Sequence, residues 1–467
     1  MTTQELKNGW QLFRQALKGD ADVDYTTGSI GRVTFLLAVP MILEMALESV
    51  FAIVDIFFVA SLGTEAVATV GLTEAVITLL YAVAIGLSMG ATALVARRIG
   101  EKDPAKAAIA AGQVIWIGVF VSLLVSLIGI FLAEEILLMM GADEAVVATG
   151  SGYTRLMFGC GFTIVFLFLI NAIFRGAGDA SIAMRALTLA NGLNIILDPC
   201  FIYGLGPFPE MGVTGAAVAT NIGRGVGMLY GLYFLFNSRG RVKVDMHAMK
   251  LRIDTVISLV RVSIGGIAQF LVATASWVFL MQIVSGYGSA AVAGYTIAVR
   301  IVIFSILPAW GLGNSAATLA GQNLGAGLPD RAERCTWAIA RYNAMYMLVA
   351  GLLMWVFAEP IVSFFSTDPE VIDYAGRCIR IFTYGYVFWG FGMAIIQAFN
   401  GAGDTMTPTW INVFCFWVVQ VPLAYALAYA AGMGPIGVFW AVFASDMLVG
   451  IVGTAVFMRG KWKERIV

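Results

Sequence analysis

Twelve apolar stretches, each long enough to cross a lipid bilayer, constrain the fold of this chain more than any other feature. A transmembrane helix needs about 20 consecutive, mostly apolar residues. Only 12% of the 467 residues are charged, whereas soluble proteins carry about 25%. The sequence therefore predicts an all-α integral membrane protein with twelve transmembrane helices. The predicted spans are residues 30–60, 66–95, 107–132, 147–174, 181–205, 213–236, 255–285, 291–320, 332–358, 371–399, 406–430 and 435–458.

Basic residues lie on one side only of this predicted arrangement. The connections after the odd-numbered spans contain no lysine or arginine. Lysine and arginine gather on the opposite side, at Arg97, Arg98, Lys102, Lys106, Arg239, Arg241, Lys243, Lys250, Arg252, Arg331, Arg334, Arg459, Lys461, Lys463 and Arg465. Because positively charged loops stay in the cytoplasm, we expect a multi-pass protein of a prokaryotic plasma membrane with both termini cytoplasmic.

The segment before the first span predicts a short helix on the membrane surface. Leu6, Trp10, Phe13 and Leu17 recur at helical spacing, and basic residues occupy other faces. Such an amphipathic pattern is typical of helices that lie in the plane of the interface.

The second half of the sequence repeats the first at a constant shift of 225 residues. The shift relates Gly100 to Gly325, and the tetrapeptide Gly-Ala-Gly-Asp at 176–179 recurs at 401–404. We interpret these tetrapeptides as structural turns in which glycine caps a helix. Because each half has an even number of spans, a pseudo-two-fold axis along the membrane normal relates the two lobes. The predicted organisation is an N-terminal segment (1–29), an N-lobe (30–236), a linker (237–254), a C-lobe (255–459) and a tail (460–467).

The first span carries three carboxylates. Glu44, Glu48 and Asp55 lie on one narrow face of a helix with about 100° per residue. Each charge at membrane depth costs roughly 2.5 kcal/mol or more, so this face must look into protein or into a water-filled cavity. The alternative that the acids are paired structural groups stays open, for Glu44 above all. Pro40 removes a backbone hydrogen bond from the same helix, which allows it to bend.

Positions that are polar in one half and apolar in the other indicate function, because the shared fold does not require them. Asp55 and Asp198 correspond to Leu280 and Leu423 at the shift of 225. Neighbouring carboxylates couple their titrations, which suits proton transfer. Apart from the phenol of Tyr153, the oxygens of the cluster also suit a hard cation such as sodium. The predicted ion-coupling cluster is Asp55, Asn194, Asp198, Thr220 and Tyr153.

Other charges within the spans have simpler interpretations. Arg155 and Arg380 are related by the repeat, which favours a shared structural role. Glu74 and Arg300 have no charged repeat partner, and one hypothesis is that they pair across the cleft between the lobes. The only histidine, His247, lies in a polar connector, and the five cysteines are scattered. We therefore expect no enzyme and no histidine-based metal site.

The chain resembles the multidrug and toxic compound extrusion (MATE) transporters over nearly its whole length, and their DinF-like branch most. The resemblance rests on the two-lobe repeat, on VDIFFV around Asp55, on the RGAGD and NGAGDTMTP turns, and on LNIILDP followed by GAAVAT. It implies a first-lobe cation site with possible sodium ligands at Asp55, Asn194, Asp198 and Thr220. It also implies a bend at Pro40 and a pocket-lining polar side chain at Asn171.

We therefore expect a secondary active antiporter that exports organic cations or amphipathic drugs in exchange for protons or sodium. Substrate would meet Glu44, Glu48 and Asn171. The expected partners are small molecules and the lipid bilayer, with no nucleic acid and no resident cofactor, and the protein is expected to be a monomer.

The alternative function is that of a lipid-linked sugar flippase, which would need a basic cavity for a diphosphate. Arg261, Arg300 and Arg377 keep this alternative open, whereas the acidic face of the first span speaks against it.

Overall fold

The structure is a computed structural model that describes residues 3–19, 23–60, 62–237 and 240–465. Its regular structure in these ranges is entirely helical. The helices are α1 (Thr3–Lys18), α2 (Ile30–Ala60), α3 (Thr64–Gly100), α4 (Pro104–Phe131), α5 (Ala133–Met139), α6 (Glu144–Gly159), α7 (Gly161–Ala177), α8 (Ala180–Tyr203), α9 (Val213–Phe236), α10 (Ile253–Ser285), α11 (Ser289–Gly325), α12 (Pro329–Val356), α13 (Ala358–Ser363), α14 (Pro369–Gly401), α15 (Met406–Asn412), α16 (Val421–Tyr425) and α17 (Pro435–Met458), with π-helical segments at Val413–Gln420 and Ala426–Ala430 and a 3₁₀ turn at Lys461–Glu464.

Twelve transmembrane helices form two lobes, as the sequence predicts. Ten described helical stretches are long and apolar enough to cross a bilayer by length and composition. Helices α2 and α9 complete the set with 31 and 24 residues. Each of these two carries buried ionisable side chains, among them Glu44 and Arg224. Helices α2 to α9 build the N-lobe and α10 to α17 the C-lobe.

The fourth predicted span, residues 147–174, is not one continuous helix. Cys160 has φ −95° and ψ 17°, which ends α6 one residue before α7 begins. The hydroxyl group of Thr163 donates to the Cys160 carbonyl at 3.0 Å and satisfies a group left at the break. Hydropathy does not reveal this break, because a one-residue interruption leaves the span equally apolar.

Two close contacts between the lobes are related to each other by the internal repeat. A Cβ atom added at Gly86 would clash with the backbone of Ile267, and one added at Gly311 would clash with the backbone of Met41 and Ile42. Gly311 is the repeat partner of Gly86, and Ile267 is that of Ile42. Glycine allows each pair of helices to approach to backbone contact.

The lobes close against each other on the side that holds both chain ends, which we call the terminal side. There a Cβ atom at Gly100 would clash with Gln322, and one at Gly325 would clash with Arg97. The two contacts are related by the repeat, because Gly325 is the partner of Gly100 and Gln322 is the partner of Arg97. The Gln322 side chain also donates to the carbonyl oxygen of Gly176 across the lobe boundary at 2.9 Å. The side facing away from the termini is called the distal side below.

The two Gly-Ala-Gly-Asp turns anchor the segments that follow each lobe. Gly178 has φ 88°, a left-handed conformation that favours glycine. Asp179 accepts from the backbone N–H of Arg241 at 2.6 Å and faces its guanidinium at 3.4 Å. Its repeat partner Asp404 pairs with Arg465 of the tail at 3.1 Å. These contacts support the structural interpretation of both turns.

Equivalent ion pairs fasten short surface helices on the distal side. Arg155 pairs with Glu134 of α5 at 3.0 Å, and Arg380 pairs with Glu359 of α13 at 2.9 Å. The shift of 225 relates both the arginines and the glutamates. The shared structural role predicted for the two arginines agrees with these pairs.

Helix α1 packs on the terminal side against α2 and α8. Ala16 is buried there, whereas Trp10 is exposed and stacks on Phe13 with 5.8 Å between ring centroids. Some sequence predictions concern positions outside the described residues. These are Arg239, the side chain of Leu6, and the parts of the terminal segments and linker at 1–2, 20–22, 238–239 and 466–467.

Candidate functional site

Glu44, the first carboxylate of α2, is held in a buried ion pair. It is 1% exposed, and its Oε1 accepts from Arg175 Nη1 at 2.7 Å. The same oxygen accepts from Asn171 Nδ2 at 3.2 Å. A buried charge without a partner costs several kcal/mol, so Arg175 stabilises Glu44 in place. Glu44 and Asn171 thus lie together, and Glu44 is a paired group rather than a free acid.

Glu48 lies one turn further along α2. Its Oε2 accepts a hydrogen bond from Asn191 Nδ2 of α8 at 3.0 Å. It has no ion-pair partner among the described residues. Glu48 therefore presents a carboxylate without an ion-pair partner to the space between the lobes.

A cavity of about 180 Å³ lies between the lobes. Small-molecule sites are mostly apolar with a few polar groups, and the lining of this cavity has the same character. The N-lobe contributes the three predicted substrate residues Glu44, Glu48 and Asn171. The C-lobe contributes Trp310, Asn314, Gln397 and Asn400, and apolar wall comes from Ile85, Ile164, Leu167, Phe168 and Leu187.

Three of the five predicted coupling residues are in direct contact. Asn194 Nδ2 donates to Asp198 Oδ1 at 3.2 Å and to Thr220 Oγ1 at 3.0 Å. All three side chains are buried, and Asp198 is 0% exposed. Asn194 Oδ1 and Asp198 Oδ2 are buried without a hydrogen-bond partner. Unpaired buried acceptors are costly, and a proton on the carboxylate or a bound hard cation would satisfy them.

Asp55 and Tyr153 lie beside this trio rather than within it. Asp55 makes no hydrogen bond or ion pair with any described residue, but it is close enough to interact electrostatically with Asp198 and Glu74. Tyr153 is 4% exposed and packs in an apolar cluster that includes Val59. The predicted cluster is thus a hydrogen-bonded core of three residues with two neighbours.

Sequence reasoning missed Arg224, which lines the cavity. Its Nη2 donates to the Tyr81 hydroxyl oxygen at 2.9 Å, and its guanidinium carbon lies 5.9 Å from the ring centroids of Tyr81 and Phe51. Arg224 is four residues after Thr220 on α9, so the two share a helix face. Its repeat partner is Val449. The asymmetry criterion that selected the acids would therefore have selected this arginine too.

Asn191 and Arg175 were missed for different reasons. The repeat partner of Asn191 is Phe416, so asymmetry again supplies a signal. Arg175 belongs to the RGAGD motif, which was interpreted only as a turn, and its partner Asn400 is also polar. Only the structure brings Arg175 within ion-pair distance of α2.

The arginines that kept the flippase alternative open lie elsewhere. None of Arg261, Arg300 and Arg377 is among the described residues that line the cavity. Arg377 pairs with Asp373 at 2.9 Å. Arg300 interacts electrostatically with Glu74, but no ion pair joins these two described residues.

Pro40 is buried inside α2, which continues past it. Its ring removes the hydrogen bond that the Leu36 carbonyl would otherwise accept. The next residue, Met41, contacts Gly311 of the C-lobe. The predicted hinge therefore adjoins the contact between the lobes.

A family model described as MatE matches residues 40–200 and 266–426. The matched segments begin 226 residues apart, within one residue of the internal repeat. The chain belongs to the MATE family.

Relatives of this MATE protein cover nearly its whole length. It is 26% identical over 444 residues to the probable multidrug resistance protein YoeA of Bacillus subtilis, covering 94% of this chain and 95% of the relative. It is also 26% identical over 436 residues to the probable multidrug resistance protein NorM of Thermotoga maritima, covering 92% and 93%.

A solved structure shares the fold of this MATE protein. It is described as the outward-facing conformation of a multidrug resistance MATE family transporter of the MOP superfamily. It matches with a TM-score of 0.89 and 27% identity, covering 95% of this chain and 98% of that one. The two-lobe architecture is therefore that of the family.

Proposed function

We propose that this MATE protein exports cationic or amphipathic small molecules in exchange for protons or sodium ions, by alternating access between its lobes. The observation that carries the proposal is the mainly apolar cavity between the lobes beside a buried carboxylate cluster confined to one lobe. Relatives named as multidrug resistance proteins support the substrate class. We further propose that the protein works as a monomer in the plasma membrane of a prokaryote, with both termini in the cytoplasm.

The cavity supports binding of amphipathic molecules. Its mainly apolar wall includes Phe168 and Trp310, which provide flat hydrophobic surface for aromatic groups. Glu48 supplies a carboxylate for a cationic group, whereas Glu44 is neutralised by Arg175. Substrate affinity should therefore depend on Glu48 more than on Glu44.

Ion coupling is proposed to use Asp198, Asn194 and Thr220, with Asp55 as a neighbouring carboxylate. Taking up a proton or a sodium ion there changes the local charge by one unit. Such a change shifts a conformational equilibrium only if one conformation binds the ion better. Helix α2 connects Asp55 to Glu48 and to the hinge at Pro40, so its conformation is the property that ion binding would bias.

The flippase alternative is not favoured. Its anionic substrate would need a basic cavity, but Arg261, Arg300 and Arg377 are not among the described lining residues. Glu44, Glu48, Arg175 and Arg224 give the wall as many acids as bases.

A transport assay in liposomes tests the proposed function. Purified protein would be reconstituted with ethidium as a fluorescent cation, and proton and sodium gradients would be imposed separately. We expect ethidium movement against the direction of at least one ion gradient and none without a gradient. Ethidium movement at a rate that does not depend on either gradient would contradict antiport.

A further inference from the structure

The ionisable groups on the cavity wall are balanced, which sets the kind of ligand that the wall complements. Among the described residues, two carboxylates, Glu44 and Glu48, and two guanidinium groups, Arg175 and Arg224, line the cavity. Glu44 and Arg175 neutralise each other at 2.7 Å. What remains is one negative group, Glu48, and one positive group, Arg224.

Arg224 is poised to accept an anion. Its side chain is 9% exposed and lines the cavity, and its Nη1 is buried without a hydrogen-bond partner. Its Nη2 is occupied by the neutral hydroxyl oxygen of Tyr81. A buried guanidinium N–H without an acceptor costs free energy. A carboxylate in the cavity would satisfy it with a charge-assisted hydrogen bond.

The acids near Arg224 do not occupy that position. Glu48, Asp55 and Glu74 all interact electrostatically with it, but no ion pair joins Arg224 to any described residue. Glu48 instead accepts from Asn191 at 3.0 Å. The two opposite charges thus stay separate on the N-lobe wall of a cavity that Trp310 of the C-lobe also lines.

We infer that Arg224 forms an anion subsite of the cavity, and that this transporter prefers amphipathic zwitterions to simple organic cations. The ammonium group of such a ligand would face Glu48, its carboxylate would face Arg224, and its aromatic body would lie against the apolar wall. This inference rests on the proposed function, because it takes the cavity as the substrate site.

The test compares two ligands that differ in one charge. Nε-dansyl-lysine is a zwitterion, and its ethyl ester, at a pH low enough to keep its amine protonated, retains the dansyl ring and the ammonium group without the carboxylate. Dansyl fluorescence in titrations of the purified protein gives Kd for each ligand. We expect the wild type to bind the zwitterion at least about tenfold more tightly, as one hydrogen bond to a charged group predicts. Equal affinities, or tighter binding of the ester, would overturn the inference.

Substitutions then assign the preference to Arg224. Arg224→Gln should remove the preference. Because it deletes a cationic group that interacts with Glu48, it should leave the ester bound at least as tightly as in the wild type, which also reports that the cavity is intact. Arg224→Lys keeps the charge and should retain part of the preference. Glu48→Gln should weaken the binding of both ligands by a similar factor, because both carry the ammonium group. A preference that survives in Arg224→Gln would contradict the assignment. Failure of both ligands to bind the wild type would contradict the proposed function itself.

Discussion

At the scale of single residues, the N-lobe interior contains two kinds of ionisable group. Glu44 and Arg175 neutralise each other in a buried pair. Asp198 and Arg224 have no ion-pair partner among the described residues, and each keeps a buried polar atom without a hydrogen-bond partner. The first kind supports the structure, and the second kind has an unused capacity to bind a proton, an ion or a ligand.

The buried pair should be sensitive to the loss of either partner. Glu44→Gln leaves the Arg175 guanidinium buried without a counter-charge, which should lower stability by about 3–5 kcal/mol. The combined Glu44→Gln, Arg175→Met variant removes both charges, so its stability should be closer to that of the wild type. Thermal unfolding in detergent measures the difference.

The exposed pair between Arg155 and Glu134 provides the control. Arg155→Gln breaks a half-exposed ion pair, which should cost only about 0–1 kcal/mol. A Glu44→Gln variant as stable as Arg155→Gln would show that the buried pair does not stabilise the fold.

Several site residues were predictable from sequence, because the internal repeat allows each position to be compared with its partner in the other half. Asp55 and Asp198 differ in polarity from their repeat partners, which separates them from groups that the fold requires. Arg224 meets the same criterion, since its repeat partner is Val449. The pairing of Glu44 with Arg175 was not predictable, because it joins helices 131 positions apart in sequence.

At the scale of elements, glycine contacts decide how the lobes meet. Gly86→Ala places a methyl group against the backbone of Ile267, which cannot move without shifting α10. We expect a destabilisation of this contact between the lobes by about 1–3 kcal/mol, seen as a lower melting temperature. Gly71→Ala on the same helix has open space around it and should be neutral or slightly stabilising. Equal effects of the two substitutions would contradict the close contact.

The hinge in α2 gives a second prediction for an element. Pro40→Ala restores a backbone hydrogen bond to the Leu36 carbonyl, which should straighten and stiffen the helix. We expect slower transport with unchanged expression and unchanged or higher thermal stability. Unchanged turnover in a well-expressed variant would argue against bending at this position.

Element boundaries were predictable where apolar runs end abruptly. The spans predicted at 213–236 and 435–458 coincide with α9 and α17. The break at Cys160 and the π-helical segments of the eleventh span were not predictable. Both depend on local backbone hydrogen bonding, which changes neither the length nor the hydropathy of a span.

At the scale of the whole molecule, the charge asymmetry of the loops predicts the orientation in the membrane. Met139 on the distal side and Met246 in the linker are both exposed. In a variant without native cysteines, Met139→Cys should react with an impermeant maleimide added to intact cells, and Met246→Cys should react only after lysis. The reverse pattern would overturn the predicted cytoplasmic location of the termini.

The two-lobe architecture was predictable, because the apolar spans and the internal repeat can both be recognised in the sequence. The closure of the lobes on the terminal side was not predictable. A transporter that alternates between conformations uses one sequence for all of them, so the sequence alone does not select a state.

The central claim is that ion coupling belongs to the N-lobe, and one measurement tests it most directly. Ion-driven ethidium efflux would be compared in liposomes containing the wild type, the Asp55→Asn, Asp198→Asn double variant, and a Leu280→Ala, Leu423→Ala control at the repeat-related positions. The asparagines keep the shape of the aspartates but cannot take up a proton or neutralise a cation, so efflux should lose its dependence on the ion gradient. The control should lose some stability through packing while its efflux remains coupled. Full ion-driven efflux by the double aspartate variant would contradict the claim and place the coupling site elsewhere.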